Sequence, residues 1–177
     1  LSAKNVTITN NIGNDKIALK GLKKGYTYTV YTNSSLKKKL TSFKATGSTK
    51  TLTVKQVGAK AGAVYVVVSK SGYTASKATK ASFKAQPTSA LSSKKVKVTN
   101  SKKKDTIKMT GLKKGTTYCI YKDAKKKKKL ISFKAAGSSK TISVKQLGKS
   151  AGKLYITAQE PGYSVSSVTK VSYSKER

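Results

Sequence analysis

The sequence predicts an all-β protein made of two tandem β-sandwich domains, and three observations support this fold class. The chain repeats itself at an offset of 90 residues. Each copy contains short runs in which apolar and polar residues alternate, which is the period-2 pattern of half-buried strands. No window shows a sustained 3.6-residue period, so we expect no layer of helices.

The repeat runs without a gap from Leu1 and Leu91 to the end of the chain. It is clearest where Gly21-Leu-Lys-Lys-Gly25 matches Gly111-Leu-Lys-Lys-Gly115, where Ser42–Ala45 matches Ser132–Ala135, and where Gly72-Tyr73 matches Gly162-Tyr163. A gapless match over about 87 positions indicates two copies of one domain. We place the domains at 1–85 and 91–177, joined by the short polar linker 86–90, which holds one of the two prolines.

Seven candidate strands lie in each copy. In the first they are Asn5–Thr9, Lys16–Lys20, Tyr26–Tyr31, Leu40–Lys44, Thr51–Lys55, Val64–Val68 and Lys77–Lys84, and those of the second lie 90 residues later. Seven short strands in about 90 residues are typical of a β-sandwich. Leu40 and Phe43 are three residues apart, which breaks the alternation and predicts a β-bulge.

The alternation also assigns the two faces of the central strands. The predicted inward residues are Tyr28, Val30, Val64, Val66 and Val68 in the first copy, and Tyr118, Ile120, Leu154, Ile156 and Ala158 in the second. The predicted outward tyrosines are Tyr31 and Tyr65, with Tyr121 and Tyr155 as their equivalents. Exposed tyrosine pairs can stack on sugars or bases, although tyrosine is also a good strand former without any ligand.

The residues that most enzymes and metal sites need are scarce. The chain has no histidine, which is the commonest general base and metal ligand. Its single cysteine, Cys119, corresponds to Thr29 and is expected on an outer strand face. The five acids are Asp15, Asp105, Asp123, Glu160 and Glu176, and we interpret the equivalent pair Asp15 and Asp105 as turn residues ahead of a strand. We therefore predict no catalytic site, no metal site and no cofactor.

The first residue is Leu1, with no signal peptide ahead of it, and we interpret the chain as a fragment of a longer protein. No apolar run approaches the roughly 20 residues that span a bilayer. We expect a monomer that does not insert into membranes.

Three segments of the second copy resemble bacterial Ig-like domains. Ile107-Lys-Met-Thr-Gly-Leu-Lys-Lys-Gly-Thr-Thr-Tyr-Cys-Ile-Tyr121 is similar to their opening strand, glycine turn and alternating strand. Tyr155-Ile-Thr-Ala-Gln-Glu-Pro-Gly-Tyr-Ser-Val-Ser-Ser167 resembles their closing hairpin, and Val171-Ser-Tyr173 resembles their last strand. The resemblance implies two tandem Ig-like seven-stranded β-sandwiches. It also implies a secreted or cell-surface bacterial protein, in which such domains act as spacers, adhesive modules or wall-attached repeats.

The lysines give the strongest functional signal. The chain has 39 Lys+Arg against 5 Asp+Glu, a net charge of +34, and its one arginine is Arg177. Solubility needs far fewer charges, and self-repulsion of this size destabilises a compact state. We therefore predict a polyanionic partner. Lysine without arginine suits diffuse phosphate neutralisation rather than base reading. For the bacterial surface module that the resemblance implies, wall teichoic or lipoteichoic acid is the favoured partner. Extracellular DNA bound without sequence specificity, acidic polysaccharide and glycosaminoglycan are the alternatives.

The predicted site lies in loops. Strands that alternate in direction bring the loops after the first, third and fifth strands to one end of a domain. The predicted polyanion-binding residues of the second copy are Lys102, Lys103, Lys104, Lys125, Lys126, Lys127, Lys128, Lys129 and Lys149. We add Lys37, Lys38 and Lys39 of the first copy, which we expect to face the linker. We also add Lys113 and Lys114 of the second copy, which we expect to lie near them. The competing interpretation is a structural spacer or surface-layer repeat whose charge has no specific ligand.

Overall fold

The computed structural model describes residues 1–176 and divides the chain into two compact units, Leu1–Gln86 and Pro87–Arg177. In the first unit the strands are β1 (Val6–Thr9), β2 (Asp15–Lys20), β3 (Thr27–Tyr31), β4 (Lys39–Lys44), β5 (Thr49–Val54), β6 (Gly62–Ser69) and β7 (Thr79–Phe83). They form two antiparallel sheets, with strand orders β1-β2-β5 and β4-β3-β6-β7. A single 3₁₀ turn, Ala3–Asn5, precedes β1.

The second unit repeats this arrangement. Its strands are β8 (Val96–Thr99), β9 (Asp105–Thr110), β10 (Thr117–Tyr121), β11 (Lys129–Lys134), β12 (Ser139–Val144), β13 (Gly152–Gln159) and β14 (Thr169–Tyr173), after a 3₁₀ turn at Ser93–Lys95. The sheets have the orders β8-β9-β12 and β11-β10-β13-β14. Two sheets of three and four strands per unit confirm the predicted all-β sandwich.

All seven predicted strands are present in each unit, and only their ends differ. Asn5, predicted to open the first strand, lies in the 3₁₀ turn. The last strand begins at Thr79 rather than Lys77. At both positions the alternating pattern extends past the last ladder hydrogen bond, so the pattern alone could not fix the end of the strand.

The core of each unit lies between its sheets. Tyr28, Val30, Val64 and Val66 of the four-stranded sheet are buried, as predicted, and pack against Ile17 and Leu19 of the three-stranded sheet. The equivalent Tyr118, Ile120, Leu154 and Ile156 fill the second core. Val68 is half-buried at the edge of the first core, whereas its equivalent Ala158 is buried. Each fully buried aliphatic side chain contributes about 1.5–3 kcal/mol.

The predicted bulge is confirmed at Leu40. Val30 pairs with Thr41 and Tyr31 pairs with Lys39, so Leu40 is the extra residue between them. The second unit has the same shift, in which Ile120 pairs with Ile131 and Tyr121 with Lys129. The bulge moves Leu40 and Phe43 to the edge of the core, where both pack.

Two residues of the segment 86–90 form backbone hydrogen bonds. The Gln86 N–H donates to the Ala59 carbonyl at 2.9 Å, within the first unit. Thr88 is buried in the second unit, where its N–H donates to the Ser164 carbonyl at 2.8 Å. The sequence-based limits of the domains, 1–85 and 91–177, stay a prediction. Within residues 1–176, no helix has the length and apolar character that a membrane-spanning helix needs.

Candidate polyanion-binding surface

Three loops meet at one end of the second unit, and each carries lysines. They are the loops 100–104 after β8, 122–128 after β10 and 145–151 after β12. We call eight of their exposed lysines the lysine tip: Lys102, Lys103, Lys104, Lys125, Lys126, Lys127, Lys128 and Lys149. Lys129, the first residue of β11, borders the lysine tip and is also exposed.

The carboxylate of Asp105 ties the first of these loops to the third. Asp105 opens β9 and is completely buried. Its Oδ1 accepts from the Ser101 N–H at 2.8 Å, and its Oδ2 accepts from the Leu147 N–H at 2.5 Å. The sequence interpretation of Asp105 as a turn acid ahead of a strand is wrong, because Asp105 is the first residue of β9 and is buried. Two backbone N–H bonds to one carboxylate are strong, charge-assisted interactions.

Two amide side chains reinforce the same contact. Asn100 Nδ2 donates to the Gly148 carbonyl at 2.8 Å and to the Ser174 carbonyl at 3.2 Å. Gln146 Nε2 lies 3.3 Å from the Lys102 carbonyl. These bonds satisfy a carbonyl in each loop and join the loops 100–104 and 145–151.

The loop 122–128 joins this surface through Lys122, whose Nζ donates to the Gln146 carbonyl at 3.3 Å. Within the loop, Asp123 accepts from the Lys127 N–H at 3.1 Å and from the Lys128 N–H at 2.5 Å. The turn is completed by Lys126, which has a φ of 59° in the left-handed region. Local hydrogen bonds to one short acid therefore hold several like charges in a compact loop.

The acid inside this loop stays ionised. The Lys128 N–H, followed by those of Lys127 and Lys125, lowers the pKa of Asp123, while desolvation acts in the opposite direction. Among residues 1–176 the one ion pair joins Lys113 and Glu160, which are not part of the lysine tip. The lysines of the tip are thus exposed cations with no carboxylate paired to them among the described residues, and such an array raises the local concentration of polyanions.

The first unit has the same loop scaffold with fewer lysines. Asp15 is fully buried and accepts from the Asn11 N–H at 2.8 Å and the Val57 N–H at 2.6 Å. Asn33 holds its loop as Asp123 does, through the Lys38 N–H at 2.9 Å. The residues equivalent to Lys102, Lys103, Lys104, Lys125, Lys126 and Lys149 are Ile12, Gly13, Asn14, Ser35, Leu36 and Ala59. The two repeats therefore differ in charge on a shared framework.

Because Asn33 performs the same task in the first unit, Asp123→Asn should leave the loop intact. The substitution removes the only acid in the loop 122–128. We expect a two- to fivefold gain in affinity for polyphosphate, measured by isothermal titration calorimetry, because the removal of one negative surface charge is worth about 0.5–1 kcal/mol. The melting temperature should not change. A loss of affinity would mean that the carboxylate positions the lysines in a way that the amide cannot.

The other predicted lysines lie apart from the tip. Lys37, Lys38 and Lys39 are exposed in the first unit, between β3 and the start of β4. Lys113 and Lys114 lie in the loop after β9, at the opposite end of the second unit from the lysine tip. The Gly115 N–H of this loop donates to the Ala135 carbonyl, in the loop after β11, at 2.8 Å. Hydrogen bonding to Glu160 raises the pKa of Lys113. Polyanion binding by these five lysines stays a prediction.

The predicted tyrosine pairs lie directly opposite each other across neighbouring strands. Tyr31 pairs with Tyr65 and Tyr121 with Tyr155, and all four are half-buried. Burial raises the pKa of Tyr121, and a hydrogen bond with Cys119 raises it further. The Sγ of Cys119 lies 3.1 Å from the Ser132 Oγ on the same outer face. Stacking of these tyrosines on a ligand stays a prediction.

Comparison with solved structures identifies the architecture. A two-domain fibronectin type III segment of chicken tenascin superposes with a TM-score of 0.54 at 12% identity, covering 96% of this chain and 97% of that one. A cytokine receptor complex gives 0.52 at 12% identity, with 96% of both chains covered. The chicken interferon gamma receptor alpha chain gives 0.50 at 7% identity, with 97% of both covered. The two units have the immunoglobulin-like, fibronectin type III fold.

At these identities the likeness shows the fold and nothing finer. No family model matches the chain, and no curated protein matches it. The specific resemblance to bacterial Ig-like domains therefore stays a prediction. The tandem immunoglobulin-like arrangement is confirmed, and this fold by itself does not show what the lysine tip binds.

Proposed function

We propose that this chain is a non-catalytic binding module whose lysine tip attaches a secreted bacterial protein to an anionic polymer of the cell surface. Wall teichoic or lipoteichoic acid is the favoured ligand class. A tandem immunoglobulin-like chain is a scaffold for binding or spacing, and its sites lie on loops that a rigid sandwich positions. The lysine tip is such a loop site.

The placement of the extra charge carries the proposal. Residues 1–90 hold 16 lysines and one acid, whereas residues 91–177 hold 22 lysines, one arginine and four acids. Seven lysines found only in the second repeat, the six compared above and Lys122, lie in three loops that are far apart in sequence. Asp105, Gln146 and Lys122 bond these loops to one another. Charge scattered at random over the repeat would not concentrate at one end of the fold.

The chemistry of lysine narrows the ligand class. A lysine ammonium is a hydrated point charge that neutralises phosphate without reading the geometry of the group that carries it. Teichoic acids present repeated phosphates along a flexible chain. A surface of mobile ammonium groups can follow such a chain, whereas the bidentate contacts that read DNA bases require arginine.

The test compares two variants of equal net charge. The tip variant replaces Lys102, Lys103, Lys104, Lys126, Lys127 and Lys128 by glutamine. The control variant replaces six exposed lysines elsewhere in the second unit: Lys94, Lys95, Lys97, Lys108, Lys134 and Lys170. Affinity for purified wall teichoic acid is measured at 50 mM salt. We expect a loss of about 100-fold for the tip variant and less than about threefold for the control, since six lost contacts at about 0.5 kcal/mol each total about 3 kcal/mol.

Equal losses from the two variants would mean that the charge acts as a diffuse whole and that the lysine tip is no site. A wild-type chain that binds neither teichoic acid nor DNA nor heparin at 50 mM salt would contradict the proposal altogether. That result would favour the structural spacer, whose charge has no ligand.

A further inference from the structure

A row of four side chains crosses the outer face of the four-stranded sheet in the first unit. On the two central strands, Tyr31 of β3 lies directly opposite Tyr65 of β6. On the edge strands, Lys39 of β4 lies opposite Tyr31, and Lys80 of β7 lies opposite Tyr65. Because residues opposite each other in a sheet point to the same face, these four side chains form one line, which we call the tyrosine row.

The second unit contains an identical row, formed by Lys129, Tyr121, Tyr155 and Lys170. The next outward pair along the same two central strands is not kept: it is Thr29 and Val67 in the first unit and Cys119 and Thr157 in the second. Valine, threonine and tyrosine are all good strand formers. Strand propensity therefore allows the outer face to vary, and it does not explain why the row is identical in both repeats.

The Tyr121 ring lies along the sheet rather than standing away from it. Its hydroxyl hydrogen-bonds to Cys119 and Thr157, which form the next outward pair. A ring in this position covers Thr157, which is only 4% exposed although the alternation of β13 turns it outward. One face of the Tyr121 ring therefore packs on the strands, and the other face is open to solvent. The other three tyrosines of the two rows are half-buried in the same way.

Lysines stand at both ends of each row. All four are exposed, and none of them belongs to the one ion pair among residues 1–176. With neighbouring strands about 4.8 Å apart, the two lysines of a row are about 14 Å apart at the backbone, and the two rings lie between them. Each row thus supplies two adjacent apolar ring faces with a free ammonium group beside each of them. A matching ligand carries one ring for each negative charge.

The other side chains of the outer face favour sugars over nucleic acid bases. Beside the row in the first unit, the hydroxyl oxygens of Thr29 and Ser42 lie 2.9 Å apart, and Ser82 is exposed. A hydroxyl can both donate and accept hydrogen bonds, as the hydroxyls of a sugar do. Base edges are read chiefly by arginine, asparagine and glutamine. The eight strands of the two four-stranded sheets contain no arginine, no asparagine and a single glutamine, Gln159, where the first repeat has Ser69.

We propose that each tyrosine row binds two consecutive sugar residues of an acidic polysaccharide. One face of each sugar ring packs on a tyrosine, which suits this contact because its ring is apolar and its hydroxyl is polar. The carboxylate of that sugar pairs with the lysine on the neighbouring edge strand, and its hydroxyls bond to the serine and threonine side chains beside the row. The site lies on the sheets rather than in the loops, and it does not depend on what the lysine tip binds.

The probe is tetragalacturonic acid, which carries one carboxylate on each sugar, titrated by calorimetry into the tip variant. Two sites per chain are expected, one for each row. Tyr31→Thr combined with Tyr65→Thr should reduce the number of sites from two to one. The four-tyrosine variant, which adds Tyr121→Thr and Tyr155→Thr, should bind at least about tenfold more weakly. Threonine keeps a good strand former at each position, and circular dichroism checks the fold. Two sites left in the first double variant would overturn the proposal.

The exposed lysines provide a second test that does not depend on the folding of the tyrosine variants. In the tip variant, the row substitution replaces Lys39, Lys80, Lys129 and Lys170 by glutamine. The matched substitution replaces four exposed lysines of the three-stranded sheets: Lys16, Lys20, Lys97 and Lys108. The row substitution should lower the affinity for tetragalacturonic acid by about tenfold and the matched substitution by less than about twofold. Equal losses would overturn the proposal, because diffuse positive charge would then account for the binding.

Two further ligands decide between chemical classes. Maltotetraose, a neutral tetrasaccharide, should bind at least about tenfold more weakly than tetragalacturonic acid, and equal binding would overturn the acidic specificity. Single-stranded tetrathymidylate should bind the four-tyrosine variant as well as it binds the tip variant. A loss as large as that of tetragalacturonic acid would overturn the saccharide assignment in favour of nucleic acid. If the tip and control variants instead lose teichoic acid equally, the lysine tip is wrong, and the results for the tyrosine row still stand.

Discussion

Asp105→Ala should destabilise the second unit by about 2–6 kcal/mol. The buried carboxylate is the acceptor for the Ser101 and Leu147 N–H groups. Alanine leaves both donors without a partner, at a cost of about 1–3 kcal/mol each. Since small domains are stable by only about 5–15 kcal/mol, a loss of this size removes a large fraction of the total.

Urea unfolding, followed by circular dichroism, measures the loss, and hydrogen exchange with mass spectrometry assigns it to a unit. Asp15→Ala is the matched control, because Asp15 makes the same two bonds in the first unit. It should destabilise that unit by a similar amount. Asp105→Asn retains one carbonyl oxygen as acceptor, so its effect should lie between those of aspartate and alanine. A loss below about 1 kcal/mol in Asp105→Ala would mean that water satisfies both donors.

The same pair of variants connects stability to binding. Asp105 ties the loop 100–104 to the loop 145–151, and both contribute to the lysine tip. At a temperature where Asp105→Ala is still folded, its affinity for polyphosphate should fall because these loops separate. Asp15→Ala should bind as the wild type does, since the first unit has no lysine tip. Equal losses in the two variants would show that loop positions do not matter to binding.

The strands could be predicted because alternation is a local property. Whether Val30 or Tyr31 faces the core follows from its immediate neighbours, and the structure buries Val30 completely. The bulge at Leu40 was visible for the same reason, as a break in a two-residue period. The order of the strands in a sheet could not be predicted in this way, because β2 lies beside β5, which is some 30 residues further along the chain. No local pattern fixes that order.

The burial of Asp105 could not be predicted from its neighbours. Its two donors lie 4 and 42 residues away, and only the folded chain brings Leu147 to it. Thr88 is a second example. Its sequence surroundings, polar and next to a proline, are typical of a linker, yet its partners Glu160 and Ser164 lie more than 70 residues later. One signal was available for Asp105: it is the only acid position that the two repeats share.

The predicted meeting of the lysine loops rested on strand direction alone. The antiparallel pairs β8–β9 and β9–β12 carry the loops after β8 and β12 to the same end of their sheet. Which side chains bond there was not predictable, and Gln146, which bonds the two loops, had no assigned role. The sequence and the strand directions therefore predict that the lysine loops meet, but they do not predict the hydrogen bonds that join these loops.

Polyanion binding by the wild-type chain should weaken about 1,000-fold between 50 and 200 mM salt. Each lysine that neutralises a phosphate releases a condensed counterion. The logarithm of affinity therefore falls linearly with the logarithm of salt concentration, with a slope of about −0.7 per contact on single-stranded nucleic acid and about −0.9 on duplex DNA. Six to eight contacts, the number that the lysine tip offers, give a loss of this size.

The slope itself counts the lysines that touch the ligand, so it tests the site more directly than affinity does. With single-stranded DNA as ligand, the tip variant should have a slope shallower by about four, which is six contacts at about 0.7 each, and the control variant should keep the wild-type slope. Neither slope should change between about pH 5 and 9, because the chain has no histidine, the side chain that ordinarily changes its charge in that range. The backbone N–H groups that lower the pKa of Asp123 keep this carboxylate ionised throughout that range. Binding that resists salt, or that selects one DNA sequence, would contradict an electrostatic site, since mobile ammonium groups cannot distinguish one phosphate from another.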